Sequence, residues 1–452
     1  MERPPSGRTQ GDPHRVSALG AAHNRSRPRW LLTRDFALVW WGQLISQIGD
    51  GVSKLALLWF VYSITGSPLK TMVIGLLQTI PPIAFGPLIG VYVDRLPKKP
   101  LLIGTDVVRA LLIGLIPCWV SVETFTVERL YVLVFLHAVA TAVFGPALTA
   151  SVPLIVQRTQ FTAANALLQS TTSLGVIVGP ALSGLGIAAL SSQDVLCVNA
   201  VTYLFSAACL LPVRLAPVVP PRADGAPTTT AIRDLLAGLR FALIEQRIVL
   251  LLTATAAFYT FGTSAFTTLF PVFGRKMLDL GPVEVGYLWS AFGIGLLLTS
   301  LGLVWVTEWS LSQRVRLIAV SSAISGAALW GLVWASDHLV AGLLMAVAGS
   351  GVGALTPIAW GVLQEIAPPQ MVGRVLALYT TGAMTAAIAG MTFFGWTTQE
   401  FGERPSVIGI GAILFITAIA AIAFGRWVQA HRPSSALGDP AASRTRLEAC
   451  GP

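Results

Sequence analysis

The stretch FALVWWGQLISQIGDGVSKLALLWFVY, residues 36–62, decides how the chain is read. At about 1.5 Å of helical rise per residue it crosses a hydrocarbon core of roughly 30 Å, even when tilted. Only Asp50 and Lys54 put charge into it. Gln43, Gln47, Asp50 and Lys54 fall at i, i+4, i+7 and i+11, so they line one stripe of a single helix. A charge at the bilayer centre costs about 2.5–3.5 kcal/mol, so that stripe must face a protein interior or a wet cavity. Two roles stay open. Asp50, four residues ahead of Lys54, can pair with it and cement helices. Alternatively the two handle substrate or protons, as intramembrane charges generally do.

The rest of the chain has the same character. Of 452 residues, 54% are hydrophobic and 11% charged, against about 25% charged in a soluble domain. The mean hydropathy of +0.71 and the repeated apolar runs of about 20 residues belong in a bilayer. The net charge of +9 is therefore a matter of topology before it is a matter of nucleic acid. Cys118, Cys197, Cys209 and Cys450 have no paired or metal-ligand spacing, and the five histidines are scattered. Neither a disulfide, a metal nor a cofactor is expected. No phosphate-binding loop is present in the sequence, so transport driven by ATP within this chain is not expected. An enzyme would need converging His, Asp, Glu or Cys groups, and the sequence offers none.

Twelve spans are expected, near 36–62, 71–93, 101–121, 130–153, 164–190, 195–213, 248–273, 284–306, 315–335, 338–364, 373–396 and 406–427. Basic residues gather on alternate connections, from Arg15 to Arg34 before the first span and at Arg95, Lys98, Lys99, Arg214, Arg314 and Arg374 later. Such a bias places both termini in the cytoplasm. A Pro-rich link follows the sixth span, and Ile232, Leu235, Leu236, Leu239 and Leu243 then form an apolar stripe expected to lie on the inner membrane surface. The expected organisation is a basic tail (1–35), a six-helix bundle (36–213), a cytoplasmic linker (214–247), a second six-helix bundle (248–427) and a tail (428–452). Gly145-Pro146 in span four and Thr356-Pro357 in span ten echo each other weakly, as parallel six-span repeats would.

Between spans two and three, Gly90-Val-Tyr-Val-Asp94-Arg95-Leu-Pro-Lys98-Lys99 resembles the cytoplasmic loop signature of the major facilitator superfamily. That resemblance implies an all-α membrane fold of twelve helices in two pseudo-symmetric bundles. It also implies an inner gate involving Gly90, Asp94, Arg95, Lys98 and Lys99. Asp106 and Arg109, at i,i+3 in span three, can pair with each other or join that gate, as can Arg374. Gly175-x3-Gly179-Pro180-x3-Gly184 in span five resembles the antiporter signature of exporters in the superfamily, where glycines allow close helix approach and proline bends the helix. Arg34-Asp35-Phe36, Thr65-Gly66-Ser67-Pro68 and Gly373-Arg374-Val375 are similar to macrolide-efflux and enterobactin-exporter-like proteins. Lys54 departs from that branch.

The resemblance implies a secondary exporter of small amphipathic molecules of drug, macrolide or siderophore type, working by alternating access and proton antiport. A lysophospholipid or nutrient facilitator of the same fold is the alternative. Asp50 and Lys54 are the proton-coupling candidates, and Gln43, Gln47, Gln78, Gln169 and Asn199 the cavity candidates. His137 reads as a satisfied interior histidine rather than a relay, and Glu365 as a cytoplasmic partner near Arg374. The expected partners are protons, substrate and the lipid bilayer, with no nucleic acid. A monomer in a bacterial inner membrane is the expected setting.

Overall fold

The computed structural model describes residues 33–120, 126–157, 160–215, 240, 247–303, 309–368 and 371–430. These form α1 (Arg34–Thr65), α2 (Pro68–Arg95), α3 (Lys98–Val120), α4 (Val127–Ser151), α5 (Phe161–Ala189) and α6 (Asp194–Leu210). The second half contributes α7 (Arg247–Met277), α8 (Pro282–Gly302), α9 (Leu311–Val333), α10 (His338–Ile366), α11 (Val372–Phe401) and α12 (Glu403–Ala430). Eleven are long and apolar enough to cross a membrane, and α6, with 17 residues, is shorter. Span six therefore stops at Leu210 rather than 213, and the end expected for span eight, at 306, lies outside the described residues. The apolar stripe after the Pro-rich link and most of both tails lie outside the described residues.

Local chemistry sets the helix ends. Gly66, at φ 61°, closes α1 by donating its N–H to the Tyr62 carbonyl at 2.8 Å, in the left-handed conformation glycine adopts at no steric cost. Ser67 then caps α2, its Oγ accepting from the Lys70 N–H at 3.3 Å, with Pro68 as first helical residue. The Thr-Gly-Ser-Pro motif is thus a complete stop-and-start signal. Asp337 opens α10 by accepting from the Leu339 N–H at 2.6 Å.

The packing repeats with a shift of six helices. In the first half α1 packs on α5 and α6, α3 on α4 and α6, and α2 on α4. In the second half α7 packs on α11 and α12, α9 on α10 and α12, and α8 on α10. The two bundles meet mainly through α5 on α8 and α2 on α11, a pair that exchanges under the same shift. This is the parallel-repeat arrangement of a facilitator-type transporter.

The bundles touch at one end of the molecule and part at the other. At the α1–α2 end one apolar core runs through both bundles, including Leu58, Met72 and Ile74 with Phe266, Phe270 and Met391. At the α2–α3 end the buried clusters around Val39, Val93 and Phe144 and around Phe36 and Val152 contain first-half residues alone. Glycines report the same divergence. A Cβ on Gly75 or Gly395 would lie 3.1 Å from Met391 Sδ or 3.0 Å from Met72 Cβ. On the same two helices, Gly90 and Gly373 have nothing within 4 Å.

Candidate functional site

Four helices of the first bundle bring their few polar residues together. Tyr203 on α6 donates its hydroxyl to Asp50 Oδ1 on α1. His137 Nε2 on α4 lies 3.0 Å from the same hydroxyl oxygen. The Arg109 guanidinium from α3 stacks on the Tyr203 ring, 4.3 Å from its centroid, and on the Phe144 ring at 4.0 Å. Arg109 also forms an ion pair with Asp106, and both are almost completely buried. Asn199 lies beside Asp50, its carbonyl oxygen accepting from Thr202 Oγ1 at 2.9 Å. Burying these charges is tolerable only because they compensate and hydrogen-bond one another.

The cluster faces a partly open cavity of about 310 Å³ lined by helices of the first bundle. Asp50, Lys54, Gln78, His137, Thr141 and Asn199 supply most of its polar lining, and Leu57, Pro82, Ile113 and Val134 its apolar walls. A mostly apolar chamber with a few fixed polar groups is the usual form of a small-molecule site.

Asp50 and Lys54 do not form the i,i+4 pair that the sequence allows. The ion pairs among the described residues include Arg109–Asp106, Lys276–Glu403 and Arg314–Glu365, and none of these takes in Asp50 or Lys54. The Lys54 ammonium instead lies 5.6 Å from the Trp289 ring centroid on α8, a cation–π contact across the bundles. The cation whose field reaches Asp50 is Arg109. The physical reason is tertiary: α6 presents Tyr203 to Asp50, and α8 presents Trp289 to Lys54.

Of the five cavity candidates, Gln78 and Asn199 line the chamber. Gln43 is turned away and donates to Ser206 Oγ at 3.5 Å, joining α1 to α6. Gln47 backs onto α5, where a Cβ on Gly175 would lie 3.3 Å from its Cβ. Gln169 is exposed and does not line the chamber.

The expected gate residues separate in the same way. Asp106 and Arg109 pair with each other inside the bundle and belong to the Asp50 cluster, not to the gate. Lys98 donates to the Val93 and Leu96 carbonyls, and Lys99 to those of Leu211 and Val213 at 2.6 and 3.0 Å. These cations cap the ends of α2 and α6, where helix carbonyls lack partners. Arg95 is exposed at the open end. Glu365 bonds Arg314 at 2.7 Å, because α9 starts beside the end of α10.

The glycine motif of α5 divides between two faces. A Cβ on Gly179 would lie 2.6 Å from Gly51 Cα, so this position meets α1 backbone to backbone. A Cβ on Gly184 would lie 3.0 Å from Val283 Cα on α8. Pro180 removes the N–H that would bond the Val176 carbonyl. That oxygen lies 3.2 Å from where a Cβ on Gly293 of α8 would sit. One helix thus bonds tightly to its own bundle and to the facing one.

Tyr203 escaped the sequence reading because tyrosine in an apolar run looks like a membrane-interface residue. Its place one turn after Asn199, on the face that also carries Ser206, was the available signal. Trp289 is readable in the sequence only as an aromatic that could line an apolar cavity, since the cation it meets comes from the other half.

Twelve helices in two repeated bundles, with a polar-lined chamber beside the middle of α1, define a transporter of the major facilitator type. The family model described as "Transmembrane secretion effector" matches residues 30–441, and the chain belongs to that family. Similar relatives include macrolide efflux protein A of Streptococcus pyogenes, 26% identical, covering 85% of this chain and 94% of that protein. The multidrug efflux pump Tap of Mycolicibacterium fortuitum is 25% identical over the same shares. Among solved structures, an inward-facing bacterial homologue of the human lysosomal transporter Spinster aligns with a TM-score of 0.66 at 13% identity, covering 89% of this chain and 98% of that one. The nucleoside transporter NupG aligns with a TM-score of 0.65 at 15% identity, over 87% and 98%. At such identities the structural likeness establishes the fold.

Proposed function

We propose that the protein exports small amphipathic organic molecules of drug or macrolide type, by alternating access and in exchange for protons. The observation that carries this reading is the Asp50 carboxylate, placed inside a membrane-spanning helix at the wall of a chamber and held by Tyr203. Such a group can take up or release one proton as the chamber changes sides. A charge crossing 100 mV is worth about 2.3 kcal/mol, enough to drive a concentration gradient. The names of the relatives support the cargo class. The alternation of basic connections supports cytoplasmic termini, so that the parted α2–α3 end faces the cytoplasm and the joined α1–α2 end faces outward. Gly90, Asp94, Arg95 and Arg374 are assigned to the gate that closes the cytoplasmic end.

The test is uptake into proteoliposomes of a panel of macrolides, siderophores and lysolipids, with and without a pH gradient. Gradient-dependent macrolide transport is expected. Transport that ignores the gradient removes the antiport reading, and selective lysolipid movement favours a facilitator instead.

A further inference from the structure

We infer that Tyr203 and His137 are a proton relay serving Asp50, with His137 as the residue that exchanges protons with the chamber. This rests on the reading of Asp50 as the proton site.

The direction of the hydrogen bonds carries the argument. A phenol has one hydrogen, and Tyr203 gives it to Asp50. Its oxygen must then accept from His137 Nε2, 3.0 Å away, which assigns the Nε2–H tautomer. The chain reads His137 Nε2–H to Tyr203 Oη–H to Asp50 Oδ1, every donor pointing toward the carboxylate. His137 Nδ1 takes no protein partner among the described residues, and His137 lines the chamber.

The transfer balances atom by atom. A hydronium ion in the chamber gives a proton to Nδ1 and is left as water, Nε2 passes its own proton to the Tyr203 oxygen, and Tyr203 passes its hydroxyl proton to Asp50. The imidazole ends as its other tautomer, the phenol is unchanged, and Asp50 is neutral. The protonated carboxyl then donates to Tyr203, which donates to the bare Nε2, so the same chain runs backward for release.

The charged and polar groups facing this chain come from every neighbouring helix. Lys54 on α1 is drawn off over Trp289. Arg109 on α3 stacks on Tyr203, where a cation opposes loss of the phenol's partial negative charge in transit, and Asp106 balances Arg109. Gln78 from α2 and Asn199 from α6 are uncharged at all pH values, and both line the same chamber. Nothing else in the cluster offers both a donor and an acceptor nitrogen.

The experiment follows the infrared carboxyl band of Asp50, assigned by its loss in Asp50→Asn, after a pH jump on the full-length purified protein. His137→Gln keeps an amide donor for Tyr203 but has no tautomer to exchange; Tyr203→Phe removes the hydroxyl and keeps the ring. Both are expected to slow the band's appearance about a hundredfold or more, at the low end of what positioned proton-transfer groups contribute. Free imidazole should restore the rate to His137→Gly. Unchanged rates in His137→Gln and Tyr203→Phe proteins that melt like the wild type would overturn the relay while leaving Asp50 as the proton site. Absence of any Asp50 band across the pH range would overturn both.

Discussion

Lys54 stands one helical turn from Asp50 on α1, yet its charge is spent on Trp289 across the bundle interface. Asp50→Asn is therefore expected to abolish gradient-driven export, because an amide keeps the shape but takes up no proton. Lys54→Ala should leave the pH profile of export nearly unmoved and act instead on the contact between bundles. Export measured against pH in the two variants checks this. A clear shift of the pH profile in Lys54→Ala would instead show Lys54 acting on Asp50 as its ion-pair partner. Arg109 has the opposite position, serving Asp106, Asp50 and Tyr203 at once. Arg109→Leu should cost about 3–5 kcal/mol of stability, since it leaves buried carboxylates uncompensated. Thermal unfolding in detergent reads that loss directly.

At the scale of helices, two glycines that look alike in sequence have opposite duties. Gly179 on α5 is pressed against Gly51, with a Cβ placed 2.7 Å from the Gly51 carbonyl carbon. Gly179→Leu is expected to overpack the α1–α5 contact, costing about 1–3 kcal/mol or more, and to lower the melting temperature together with transport. Gly90 on α2 has open space around it in this state. Gly90→Leu should fold and insert normally but slow transport, because the crowding arises only when the α2–α3 end closes. Melting curves and uptake rates on both variants separate the two duties. Equal stability loss in both would place Gly90 in a permanent contact rather than a gate.

For the whole molecule, the joined end must open if the bundles rock. Ser67 Oγ donates to Gln399 Oε1 at 2.8 Å, and Arg275 of α7 lies over Trp59 and Tyr62 of α1, 5.4 and 5.9 Å from their centroids. A cysteine pair at 67 and 399, joined by a short bifunctional cross-linker, should stop transport and regain it when the link is cleaved. Full turnover by the cross-linked protein would exclude opening at this end.

Residues 36–62 alone were enough to establish a membrane helix with an interior-facing charged stripe, and the spacing of apolar runs gave the twelve-helix, two-bundle plan. Those features are local: apolar length, helical period, and turn chemistry such as Thr65-Gly66-Ser67-Pro68 act within one or two turns of chain. Which partner each buried polar group takes was not legible. Asp50 sits four residues from Lys54 and 153 from Tyr203, and sequence spacing favours the near one. Helix packing reversed that choice, because α6 places a phenol against the carboxylate while α8 places an indole under the ammonium. Asp106 and Arg109 left the gate for the same reason: their rotation about α3 is fixed by α4 and α6, not by distance from the loop. The tertiary structure also decided which end of the molecule is joined, since contacts between bundles arise from residues about 100 to 330 positions apart, as in Ile177–Gly293 and Ser67–Gln399.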